Sequence, residues 1–239
     1  MDNEQSDLLS LYQNFLKANG NLYPIHENAR KFIHQYPSSR YRDFAKQIEQ
    51  ACATGRIAFG VSGFYVSPLG NLDKSVRMSS QIQMDLDFLI NRLYLSLFFN
   101  GTLSAKNKIP VFSSNRNQWL DLGSRVSLLN YGVKVGKKFD ASPRINYYPY
   151  LSIGGCNLSD LTDPDKNNQS LVSSFFAGAG VSGELLLFKW ESKNQVFINT
   201  SNLLYLKVDC GFRQNLTGKV LKGTQPYVGI GINWGFGRF

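Results

Sequence analysis

Two aspartates, Asp85 and Asp87, stand two residues apart in "QIQMDLDFLI". In an extended chain residues i and i+2 share a face, so both carboxyls enter the same space. Such a pair does acid–base work when its surroundings perturb one carboxyl, or neutralises bases standing opposite. Lys134, Lys207 and Arg213 lie in similar alternating stretches, and pairing with them is the expected role. A second set of oxygens, Asp160, Asp163, Asp165 and Asn167, lies in "DLTDPDKNNQ". Calcium accepts such ligands, but the glycine and closing glutamate of a calcium loop are missing, so a solvated loop without metal is expected. The two histidines, His26 and His34, fall in helical patterns and are expected on polar helix surface. No histidine follows residue 55, which excludes a histidine-based triad in the remainder of the chain. Cys52, Cys156 and Cys210 form no CxxC pair and no zinc spacing, so they are expected to be small apolar fillers or to make one incidental disulfide. No cofactor and no catalytic centre are expected.

The elements that must position these groups change character near residue 55. Before it, Leu8, Leu9, Tyr12, Phe15 and Leu16 fall at helical spacing. So do Ala29, Phe32, Ile33 and Tyr36, and then Tyr41, Phe44, Ala45, Ile48 and Cys52. Three short amphipathic helices are predicted over 1–54, with Ser38 or Ser39 capping the third. From residue 55 to 239 the period is two. Ile82, Met84, Leu86 and Phe88 alternate with the polar Gln83, Asp85 and Asp87. "NR" then links this run to a second, in which Leu93, Leu95, Leu97 and Phe99 share a face. Two alternating runs joined by two residues read as a hairpin. Further strands are predicted at 56–66, 128–139, 146–156, 173–188, 195–213 and 225–239, making eight. The composition agrees: 21 glycines, 12 tyrosines and 17 phenylalanines among 239 residues favour β structure.

Connection lengths distinguish kinds of barrel. In chain order they are read as long, short, long, short, long, short, long, the pattern of a transmembrane barrel with tight turns on one side and loops on the other. The apolar faces, which add Leu204, Leu206, Val228, Ile230, Ile232 and Trp234, are then expected to meet lipid. The opposite faces carry Asp85, Asp87, Lys134, Glu184, Lys207, Asp209 and Arg213 and are expected to form a charge-balanced network closing a narrow lumen. Trp234, Phe236 and Tyr227 are expected in aromatic girdles. Alternation alone leaves a soluble lipocalin-like barrel open, since a water-exposed polar face gives the same pattern.

The stretches "NYGVKVGKKF", "PRINYYPYLSIGGC" and "PYVGIGINWGFGRF" resemble the small outer-membrane β-barrel proteins of the Bacteroidetes type, similar in style to the OmpX, OmpA and OmpW barrels. The resemblance implies an outer-membrane location and a terminal aromatic residue read during barrel assembly. Phe239 departs from it, falling on the glycine side unless a bulge near Gly235–Gly237 shifts the phase.

The net charge of +9 lies entirely downstream of the helical part. Its lysines and arginines are scattered through turns and loops, a pattern that suits lipid phosphates better than nucleic acid. No apolar run is long enough for a membrane helix, and "MDNEQSDLLS" lacks the features of a signal peptide, so an export signal is expected upstream. The expectation is a monomeric, non-catalytic barrel over 55–239 that contacts outer-membrane lipid. Partners would be met through loops 105–127, with Trp119, and 157–170, or by residues 1–54 binding a periplasmic or membrane protein. A channel for small or hydrophobic solutes is the alternative.

Overall fold

The computed structural model describes residues 3–17, 23–52, 55–78, 80–102, 105–113, 118–120, 122–142, 144–160, 170–192, 200–217 and 220–238. Helices α1 (Asn3–Leu16), α2 (Tyr23–Gln35) and α3 (Arg42–Ala51) come first. Their apolar stripes meet in a small core of Leu11, Ile25, Ala29, Phe32, Ala45, Ile48 and Cys52. Burial there raises the Cys52 thiol above its ordinary range. Ser39 Oγ accepts the Tyr41 N–H at 2.9 Å in the turn ahead of α3. His26 departs from the expected surface position and is only 7% exposed. Its Nδ1 lies 2.9 Å from the Glu49 carbonyl and its Nε2 3.5 Å from Asn91 Nδ2, tying α2 to α3 and to the nearest barrel turn. His34 is exposed, as a polar helix surface requires.

Eight long strands follow: β1 (Gly55–Val66), β2 (Ser80–Ile90), β3 (Leu93–Thr102), β4 (Arg125–Lys137), β5 (Ile145–Asp160), β6 (Ser170–Ser192), β7 (Thr200–Asn215) and β8 (Gly223–Arg238). Each pairs antiparallel with its chain neighbours. β1 also pairs with β8 from Gly55↔Arg238 to Val66↔Tyr227, so the sheet closes without a free edge. The β2–β3 turn is Asn91-Arg92, with Asn91 at φ 54°, a conformation asparagine tolerates better than most residues. The end carrying this turn and the helices is called here the inner end.

Side chains alternate through the wall in the inverted sense. Ile230 is 59% exposed and Met84 60%, whereas Asp85 is 4% exposed and Lys207 1%. A soluble barrel hides the first pair and wets the second. The lipocalin-like reading therefore fails, and the chain is a transmembrane up-and-down barrel.

Several strand boundaries differ from those read in the sequence: β5 continues to Asp160 instead of ending at residue 156, and β7 to Asn215 instead of residue 213. β6 runs for 23 residues rather than ending at residue 188, passing a register shift between Leu186 and Phe188. The lengthened strands shorten their connections, so 193–199 and 216–222 are equal in length and the alternation of long and short fails at the last connection. The β1–β8 register stays unbroken through Gly235 and Gly237, so no bulge re-phases the end of β8. Phe239 itself lies outside the described residues.

Candidate functional site: a filled lumen

The inward positions of β2, β4, β6 and β7 bring the expected charges together in the inner half of the lumen. Lys207 Nζ donates to Asp87 Oδ2 at 2.8 Å and to Asp85 Oδ2 at 3.2 Å. Lys134 Nζ lies 2.5 Å from Asp209 Oδ2 and 3.7 Å from Asp85 Oδ1. Glu184 pairs with Arg56, whose Nη2 lies 2.7 Å from its Oε2, and accepts the Tyr148 hydroxyl at 2.5 Å. Asn233 Nδ2 bridges Glu184 Oε1 at 2.6 Å and Asp87 Oδ2 at 2.9 Å, joining the two groups of ion pairs. The Tyr94 hydroxyl donates to Asp87 Oδ1 at 3.1 Å, Tyr150 donates to Asp209, and Gln83 Nε2 donates to Asp85 Oδ1 at 2.8 Å. Each carboxylate is thus held by a cation and further donors, the condition under which buried charge is tolerated.

Arg56 completes the balance of four acids against four bases, and sequence reasoning missed it. The signal was its phase: Arg56, Ala58, Gly60 and Ser62 all point inward on β1. Arg213 was expected to meet a carboxylate and does not. Its guanidinium lies 4.5 Å from the Tyr227 ring centroid and 4.9 Å from that of Phe98, and Nη2 donates to Gln83 Oε1 at 2.9 Å. A guanidinium over aromatic faces is stabilised by their quadrupoles. Tyr227 is likewise no girdle residue. It sits on the inward phase of β8 with its hydroxyl 2.6 Å from that of Tyr150, whereas Trp234 and Phe236 face outward. Room for these rings comes from glycine: a Cβ on Gly229 would stand 2.5 Å from the Phe64 ring.

Beyond Arg213 the filling changes. Phe64, Val66, Phe98, Val126, Leu128, Cys156, Leu158, Phe176 and Tyr227 form an apolar core inside the outer half. Leu72 enters it from α4 (Asn71–Ser75), a one-turn helix in the β1–β2 connection, alongside Val76, Met78, Ala105 and Leu221. This cap is tied down by Leu69–Gly70 pairing with β8 and by the Leu72 N–H donating to the Lys222 carbonyl at 3.1 Å. Nothing in the sequence reading placed a cap there.

Among the outward positions, Ile82, Met84, Leu93, Leu97, Phe99, Val228, Ile230, Ile232 and Trp234 are exposed, while Leu86, Phe88, Leu95, Leu204 and Leu206 point the same way and are half-buried by neighbours. Of the loop residues, Trp119 lies on a short strand, Gln118–Leu120, paired with Val111–Ser113, and Asp160 ends β5 opposite Val126. Within the expected contact surface the described residues 105–107, 111–113, 118–120, 125–127 and 157–160 are strand rather than loop, and 161–169 lie outside the described residues. Asp163 and Asp165 lie outside the described residues. All three cysteines are free: Cys52 and Cys156 are buried, and Cys210 is exposed on the outer face of β7, not the filler expected.

No family model matches the chain, and no curated protein matches it. Solved structures do. The Neisserial surface protein A is 15% identical with a TM-score of 0.45, the match covering 75% of this chain and 95% of that one. The N-terminal barrel domain of OprF from Pseudomonas aeruginosa is 13% identical with a TM-score of 0.38, covering 76% and 99%. The attachment invasion locus protein Ail of Yersinia pestis is 14% identical with a TM-score of 0.36, covering 77% and 99%. With these TM-scores below 0.5 the likeness ends at the barrel, and the expected Bacteroidetes kinship finds no support in it.

Proposed function

We propose that this chain is a monomeric barrel of a bacterial outer membrane with a structural or interaction role, neither a catalyst nor an open channel. Closed antiparallel barrels with an even strand number and an apolar outer band suit that membrane. One observation carries the reading: the cylinder is occupied along its length, by ion pairs in one half and apolar packing in the other. A reactive carboxyl needs a free proton path to substrate, and here each is engaged by a cation and by amide or phenol donors. Contacts are then left to lipid on the wall, to the outer-side connections, and to residues 1–54, which would meet a periplasmic or membrane protein; nucleic acid is no partner in this reading. Planar-bilayer recordings of the purified chain test it. Sustained electrical silence is expected; reproducible conductance steps would replace it with the solute-channel alternative.

A further inference from the structure

Three cations stand in a row on the outer rim. Val76–Met78 pairs with Ala105–Asn107, placing Arg77 directly opposite Lys106. Ala105–Asn107 also pairs with β4, placing Lys106 directly opposite Arg125. All three side chains are exposed, and their strand neighbours Val76, Met78, Ala105 and Val126 are buried in the apolar plug. The row therefore faces away from the lumen. Directly opposed side chains on one face lie about 5 Å apart at Cβ, and like charges so placed repel. Among the described residues none of the three has an acidic partner; Asp73, the acid of the cap, is taken by Lys108 at 2.8 Å. Three cations held together on a rigid support, with no acid beside them among the described residues, suit an anion from outside.

We infer that Arg77, Lys106 and Arg125 bind the phosphates of lipid headgroups in the leaflet around the outer rim. This rests on the membrane reading above. Depth selects lipid over a soluble polyanion: along β4 the outward sequence is Arg125, Ser127, Leu129, Tyr131. At about 3.4 Å per residue on a strand tilted by about 40°, Arg125 stands roughly 10 Å above Leu129, at headgroup level. The guanidinium and ammonium groups thus border the wall where phosphates lie.

The test uses the full chain in phosphatidylcholine bilayers, with spin-labelled phosphatidic acid and phosphatidylcholine compared for association with the protein. The wild type is expected to prefer phosphatidic acid, and R77Q/K106Q/R125Q to lower that preference by about fivefold or more. R77K/R125K should retain it, and K74Q/K222Q, on the same rim but off the row, should leave it unchanged. Removing repelling charges should leave the folded, heat-modifiable gel band at least as stable, and single glutamine variants should give graded losses. An unchanged preference in the triple variant overturns the inference alone. So does loss of heparin binding from solution with lipid preference intact, which would assign the row to a soluble polyanion. Failure of the wild type to insert overturns the membrane reading together with it.

Discussion

On β7, Lys207 sits among carboxylates, and six residues further along the same inward face Arg213 sits among aromatic rings. Both are cations with almost no exposure, in one lumen of one width, yet the inner half is filled by paired charge and the outer half by apolar packing around a cap. The difference teaches that lumen filling in a small barrel is a volume problem with two chemical solutions. Ion pairs need every member present, because removing one strands its partner in a dry interior. Apolar packing fails more gradually, by the size of the cavity left.

The largest expected effect breaks the inner half. Lys207→Met leaves Asp85 and Asp87 without their shared cation and should destabilise the folded barrel by about 3–5 kcal/mol, read from denaturant unfolding in detergent. Adding D87N to it should recover most of that loss, since three acids then face three bases and Asp85 keeps Lys134 at 3.7 Å. Recovery failing would mean that shape, not charge, governs the inner half. In the outer half, Leu128→Ala should cost about 2–4 kcal/mol for a fully buried leucine, with no rescue by any charge change nearby. The smallest effect is expected at the rim, where the solvent-exposed Lys108–Asp73 pair sits outside both fillings. Asp73→Asn should shift stability by less than about 1 kcal/mol, decreasing further at high salt.

The two halves were also unequally legible. A charge on one face of an alternating strand declares its direction, so Asp85, Asp87, Lys134 and Lys207 could be assigned to the interior from sequence, along with the strands that carry them. An apolar residue on the inward face does not. Phe98 beside Phe99, Leu128 beside Leu129, and Phe175 beside Phe176 each put one ring or alkyl chain inside and its neighbour outside, and the period-two signal vanishes there. The cap was hidden for another reason: Leu72, Val76 and Met78 are scattered singly along a connection that also carries Asp73, Lys74 and Arg77, and only the unfilled outer lumen gives them a place to go. Strand ends were misjudged because ladder hydrogen bonding continues wherever a partner strand is available, as in β6 beyond residue 188, whatever the local composition. His26 was misread because its burial depends on Glu49 and Asn91, both distant in sequence.

The account stands on the direction in which the wall faces. A nitroxide placed on a single cysteine at position 230, in a chain whose native cysteines are replaced by serine, reports that direction in reconstituted bilayers. Collisions with oxygen, which concentrates among acyl chains, should dominate those with a water-soluble nickel complex, and the same label at position 84 should behave alike. Dominance of the nickel complex at both positions would show Met84 and Ile230 turned to water and would contradict the account.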